Sequence, residues 1–139
     1  MKKLITLVIL VISVSGFAQK EKQDFINKHA KAFTDVLYEK YPGKFAEEDR
    51  EYIMEKSVFQ VKQLMVIPKK GIEIGSQEYY NVVNGENGPY LDDIFKLVQE
   101  NLDGDKSMTL HTKYFLGVTE KLVKELYQKP HLYQKKKKK

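Results

Sequence analysis

The sequence predicts an all-α fold, a small helical bundle of four main helices with a short middle segment that reads as a helix or a hairpin. Two observations carry this expectation. In four stretches, apolar residues recur at spacings of three and four, which gathers them on one face of a 3.6-residue helix. Between the stretches stand prolines, glycines and short polar turns, the connections expected of helices packed as antiparallel neighbours. No internal repeat occurs at the periods of helical solenoids.

The first eighteen residues, MKKLITLVILVISVSGFA, precede the predicted bundle. Lys2 and Lys3 are followed by an apolar run over residues 4–14, the basic and apolar regions of a secretory signal peptide. An apolar helix needs roughly 20 residues to cross a bilayer, so the run reads as a leader and not as an anchor. Gly16 and Ala18 are small residues of the kind a signal peptidase reads, which places cleavage after Ala18 and the mature start at Gln19. The domains expected are thus a signal peptide over 1–18, a helical bundle over 19–128 and a disordered basic tail over 129–139. The chain has no cysteine, which leaves no acylation site for a lipoprotein, no disulfide, no zinc–thiolate site and no thiol catalysis. An exported, periplasmic or secreted product is expected, held together by core packing alone.

The elements follow in order. Over residues 21–41, Phe25, Phe33, Val36 and Leu37, with His29 and Ala32 between them, form an amphipathic stripe that Tyr41, Pro42 and Gly43 end. A second helix begins near Phe45 or Asp49 and runs to about Val66, ahead of Pro68. Its first turns carry Glu47, Glu48, Asp49 and Glu51, which suit the positive end of a helix dipole. Met54, Val58, Val61 and Met65 line its apolar face. In the glycine-punctuated middle, Ser76 caps a short helix carrying Tyr79, Val82 and Val83; the alternative is a hairpin of residues 72–74 with 79–83. Pro89 opens the next helix, with Leu91, Ile94, Phe95, Val98 and Leu102 as its stripe and Gly104 at its end. The last helix is expected over 107–128, capped by Ser107 and striped by Leu110, Tyr114, Val118, Leu122 and Leu126, with Phe115, Val123 and Tyr127 beside them.

Charge argues against nucleic acid. The chain has 24 Lys and Arg against 19 Asp and Glu, but Lys2 and Lys3 leave with the leader and five lysines form the C-terminus, so the body carries 17 against 19. A nucleic-acid-binding domain spreads positive charge over a face of its fold, because affinity scales with the phosphates neutralised. Here the surplus sits at Lys135, Lys136, Lys137, Lys138 and Lys139, a candidate for weak contact with an anionic membrane or glycan.

No catalytic set and no metal site is nominated. His29, His111 and His131 are far apart in sequence, and His29 reads as a hydrogen-bonded core histidine. Residues 101–107 carry alternating oxygen ligands, but Lys106 stands where a calcium loop needs glycine and Thr112 where it needs glutamate. Asp92 and Asp93 are adjacent and diverge on a helix, and neither a nucleophile elbow nor a phosphate-cradling loop is present. No cofactor is expected.

The candidate partner surface is the tyrosine-rich stretch containing Tyr79, Tyr80, Asn84 and Tyr90, since tyrosine offers a large contact area with a polar tip. The function expected is binding of a macromolecular partner, an unknown protein, in an inhibitor, immunity or accessory role. The alternative is a small-molecule carrier holding lipid, or haem ligated by His111 with Met54 or Met65, between its helices.

Overall fold

The computed structural model describes the backbone of residues 2–84 and 89–134, and the side chains of residues 16–84, 94 and 96–134. It is an all-α bundle, with no strand among the described residues. Seven α-helices build it among the described residues: α1 (Lys2–Lys40), α2 (Arg50–Leu64), α3 (Val66–Lys69), α4 (Gln77–Val83), α5 (Pro89–Asn101), α6 (Gly104–Thr109) and α7 (Leu116–Gln128). Among the described residues no helix is long and apolar enough to cross a membrane.

The α1 helix runs without interruption through the predicted cleavage point, and residues 16–24 are exposed on it. Phe25 is the first buried residue among those described; Ile26, Ala30, Phe33 and Leu37 continue the face at helical spacing. Tyr41 accepts a backbone bond from Lys44, and Gly43 turns the chain at a φ of 75°, a conformation that a side chain resists. Phe45 then folds back against Tyr38, ring centroids 6.1 Å apart, and starts α2 antiparallel to α1. Thr34 faces Ser57 across the pair with hydroxyls 3.4 Å apart, and each hydroxyl also bonds the carbonyl four residues back. This buried polar pair is satisfied internally, so it costs little.

The chain does not stop ahead of Pro68. After Met65 it makes one further turn, α3, in which Pro68 is buried. Proline is tolerated there because nitrogens in the first turn of a helix have no intrahelical partner to lose. The true stop is Gly71, at a φ of 69°: its N–H donates to Pro68 (3.1 Å) and the Ile72 N–H to Ile67 (2.9 Å), the paired bonds of a Schellman ending. The middle segment is helical. Ser76 caps α4 by accepting the Tyr79 N–H at 3.1 Å.

Two expectations about the last helix are corrected. Gly104 begins it and does not end its predecessor, and Ser107 lies inside it. The cap is Asp103, whose extended backbone lets Oδ1 accept the Lys106 N–H at 3.2 Å. Between α6 and α7, the wider π turn of Leu110–Phe115 inserts an extra residue per turn. That insertion rephases the apolar face. Phe115, expected beside the stripe, and Thr119 are buried while Tyr114 and Val118 are only partly so, and Leu122, Val123 and Leu126 complete the face.

The predicted start of the tail is also corrected. Lys129–Gln134 belongs to the fold, because Pro130–Leu132 forms a turn that buries Leu132 and leaves Tyr133 partly buried against the core.

Rephasing leaves a polar group in the core. Thr119 is 1% exposed, and its Oγ1 has no hydrogen-bond partner among the described residues. A buried hydroxyl without a partner costs about 1–3 kcal/mol relative to its hydrated state. Thr119→Val keeps the shape and removes the hydroxyl, so chemical denaturation should show a gain of about 1 kcal/mol. A loss of that size would mean that the hydroxyl is satisfied.

Candidate functional site

The predicted tyrosine surface is brought together only in part. Tyr79 is 3% exposed, and burial, reinforced by Glu120 and Tyr80, pushes its hydroxyl up to about 12. Tyr79 is therefore a core residue and not a contact for a partner. It faces inward because Ser76 starts α4 in a register that turns positions 79 and 83 to the core. Tyr80 packs edge-on against Tyr79 (5.3 Å) and stays 40% exposed, while Asn84 is exposed with Oδ1 3.2 Å from His111 Nε2. Tyr90 lies in α5, but its side chain is outside the described residues, as are Lys135, Lys136, Lys137, Lys138 and Lys139.

A charged cluster with one buried member, His29, joins α1 to α7. His29 is buried beside the Phe25 ring (4.4 Å), with Nε2 2.9 Å from Glu125 Oε2. Lys28 reaches both oxygens of the same carboxylate at 3.2 Å, and Lys129 lies 3.5 Å from Oε1. Burial lowers the His29 pKa from its ordinary 6.5, and the hydrogen bond to Glu125 only partly opposes it. Burial alone would raise Glu125, but Lys28 and His29 outweigh it and hold the carboxyl below 4.5. At neutral pH the cluster is thus a neutral imidazole donating to a carboxylate that two lysines also face. It works as a clamp between two helices.

The clamp predicts an acid response with a definite sign. His29 titrates lower in the folded chain than in the unfolded one, so its contribution is complete above pH 6.5 and is lost as pH falls through the lowered value. Glu125 adds a loss further down, below 4.5. Burial lowers His111 as well, in the same sense. Glutamine at position 29 can still donate to Glu125 but cannot titrate. His29→Gln should therefore flatten the fall in stability between about pH 7 and pH 5, leaving the share due to His111. An unchanged slope would contradict this assignment.

Among the described residues, grooves open beside α1, two of them well defined. The larger, about 700 Å³, lies between α1 and α2 and is lined by both signs of charge, including Asp24, Lys28, Lys31, Glu51 and Glu55. Its cations are already engaged, Lys28 by Glu125 and Lys31 by Asp35. The smaller groove, about 370 Å³, lies where the middle of α1 meets the end of α2, the α3 turn and the C-terminal segment. Val66 and Tyr133, both partly buried, supply its accessible apolar lining over the buried side chains of Ile26 and Met65, and Lys22, Lys62 and Lys69 supply its charge.

This second groove has the more selective chemistry. Among the described residues no carboxylate lines it, and none of its three lysines forms an ion pair. Glu21, next to Lys22 in the chain, points instead to His131 at 3.0 Å. Lys62 lies 6.0 Å from the centre of the Phe59 ring, which is 39% exposed beside the groove. The fold creates this arrangement by bringing three separated segments to one end of the bundle. In the sequence, Met65 reads only as part of a core stripe and the lysines as ordinary solvated positions, so nothing in the spacing singles them out.

No protein-family profile, curated protein or solved structure matches the chain.

Proposed function

We propose that the chain is an exported helical protein that acts by binding another macromolecule, in an inhibitory, immunity or accessory role, through the groove of Lys22, Lys62 and Lys69. The observation that carries this reading is the groove itself, an apolar surface edged by three cations that no carboxylate of the described fold neutralises. Apolar area gains about 25 cal/mol per Å² when a partner covers it, and the lysines select which partner does so. Export rests on the basic, apolar and small-residue pattern of the first eighteen residues. The terminal lysines follow Gln134 directly in the sequence and would add weak, salt-sensitive attraction to an anionic surface.

Affinity capture from the exported fraction of the host tests the reading. The protein should retain a partner at defined stoichiometry, and Lys22→Glu/Lys62→Glu/Lys69→Glu should lose it. Identical capture by both forms, or a stoichiometric small molecule carried by the purified protein in native mass spectrometry, would overturn the reading; the latter would favour a carrier.

A further inference from the structure

We infer that the occupant of the Lys22, Lys62 and Lys69 groove is an acidic amphipathic segment of a protein, presenting apolar residues along one edge and carboxylates spaced at about 10 Å. This rests on the partner-binding reading and adds to it the chemistry of the partner. The spacing comes from the helices. Lys62 and Lys69 are seven residues apart, and Met65 between them keeps helical geometry, with a φ of −65° and its N–H bonded to Val61 at 3.3 Å. At about 1.5 Å per residue the two lysines are set off by two turns, roughly 10 Å. Lys22 approaches from α1, on the other side of the groove.

An occupant must therefore offer several negative charges distributed over two helical turns. A single bound lipid with one anionic headgroup meets one lysine of the three, whereas an anionic bilayer offers headgroups to all of them and is distinguished from the peptide by vesicle binding. A sulfated glycan has the charges but no apolar edge to cover Val66 and Tyr133. A nucleic acid stacks its bases on aromatic rings, and this lining has one, Tyr133, on a body whose net charge is negative once leader and tail are set aside. A helix with carboxylates at positions i and i+7 and apolar side chains between them meets both demands. Its carboxylates reach the lysines, and its apolar edge covers the groove.

The probe is a fluorescently labelled helical peptide of about 18 residues with leucines on one face and glutamates at seven-residue spacing, a length of about 27 Å. Anisotropy should show saturable binding that weakens with salt. Lys62→Glu/Lys69→Glu should weaken it at least about tenfold, as expected when two attractive contacts become repulsive. Val66→Gln should weaken it without changing its salt dependence, and deletion of residues 135–139 should leave the tenfold loss on lysine reversal intact. Equal binding of an oligoglutamate of the same charge would overturn the inference. So would binding of anionic vesicles or a sulfated oligosaccharide in place of the peptide. If host capture depends on the lysines while the peptide fails to bind, the acidic-segment inference falls and the partner reading stands. If host capture ignores the lysines, the site itself is wrong.

Discussion

Phe33→Ala should destabilise the fold by about 3–5 kcal/mol, the cost of removing a fully buried aromatic ring and leaving its cavity. Phe33 is 1% exposed on the inner face of α1, and its ring meets Phe115 edge-on with centroids 5.8 Å apart. Phe115 stands at the end of the π turn, so this contact anchors α1 to the rephased face of the last helical run. With no cysteine to close a disulfide, packing has no covalent support. Domains of this size have about 5–15 kcal/mol of stability in total, so the loss is a large share of it. Urea denaturation followed by circular dichroism would measure the change; a loss under about 1 kcal/mol would show that the α1 and α7 faces are not packed as described.

Reversing the lysine set should have the opposite profile. Lys22, Lys62 and Lys69 are exposed and touch no carboxylate among the described residues, so replacing all three with glutamate should shift stability by no more than about 0.5 kcal/mol per site. Binding should respond far more strongly. Each reversal replaces attraction with repulsion at a surface that a partner desolvates, and three together should reduce affinity by about two orders of magnitude. Unfolding and capture measured on the same preparation separate the effects. A variant that stays folded and still binds would remove the groove from the account.

How far the sequence announces this protein depends on which residues are considered. The helix-forming stripes were legible because their periods are local: Phe25, Phe33 and Leu37 are buried as their spacing implies, as are Ile94, Val98 and Leu102. Ser76 as the cap of α4 was legible for the same reason. The phase of the last helix was not. An i, i+4 pattern of Leu110, Tyr114 and Val118 fits a regular helix well, and only packing against Phe33 reveals that a wider turn hands the buried positions to Phe115 and Thr119. Pro68 misled for a related reason, since a proline that ends one helix can also sit in the first turn of the next.

The candidate site was the least legible part. Tyrosine clusters signal interfaces by composition, yet composition cannot say which way a ring points, and Tyr79 points inward. The groove arises from residues more than a hundred positions apart, Lys22 and Tyr133, meeting only after α1, α3 and the C-terminal turn have packed. The lysine run drew attention to the end of the chain, while the lysines that edge an apolar surface lie at three unremarkable positions within it.

Amide chemical-shift mapping with a bound partner or the acidic peptide tests the central claim most directly. The account predicts that the shifts concentrate on Lys22, Ile26, Lys62, Met65, Val66, Lys69 and Tyr133 and fade at high salt. Shifts centred on Tyr80 and Asn84, or spread through the core residues between the helices, would contradict it.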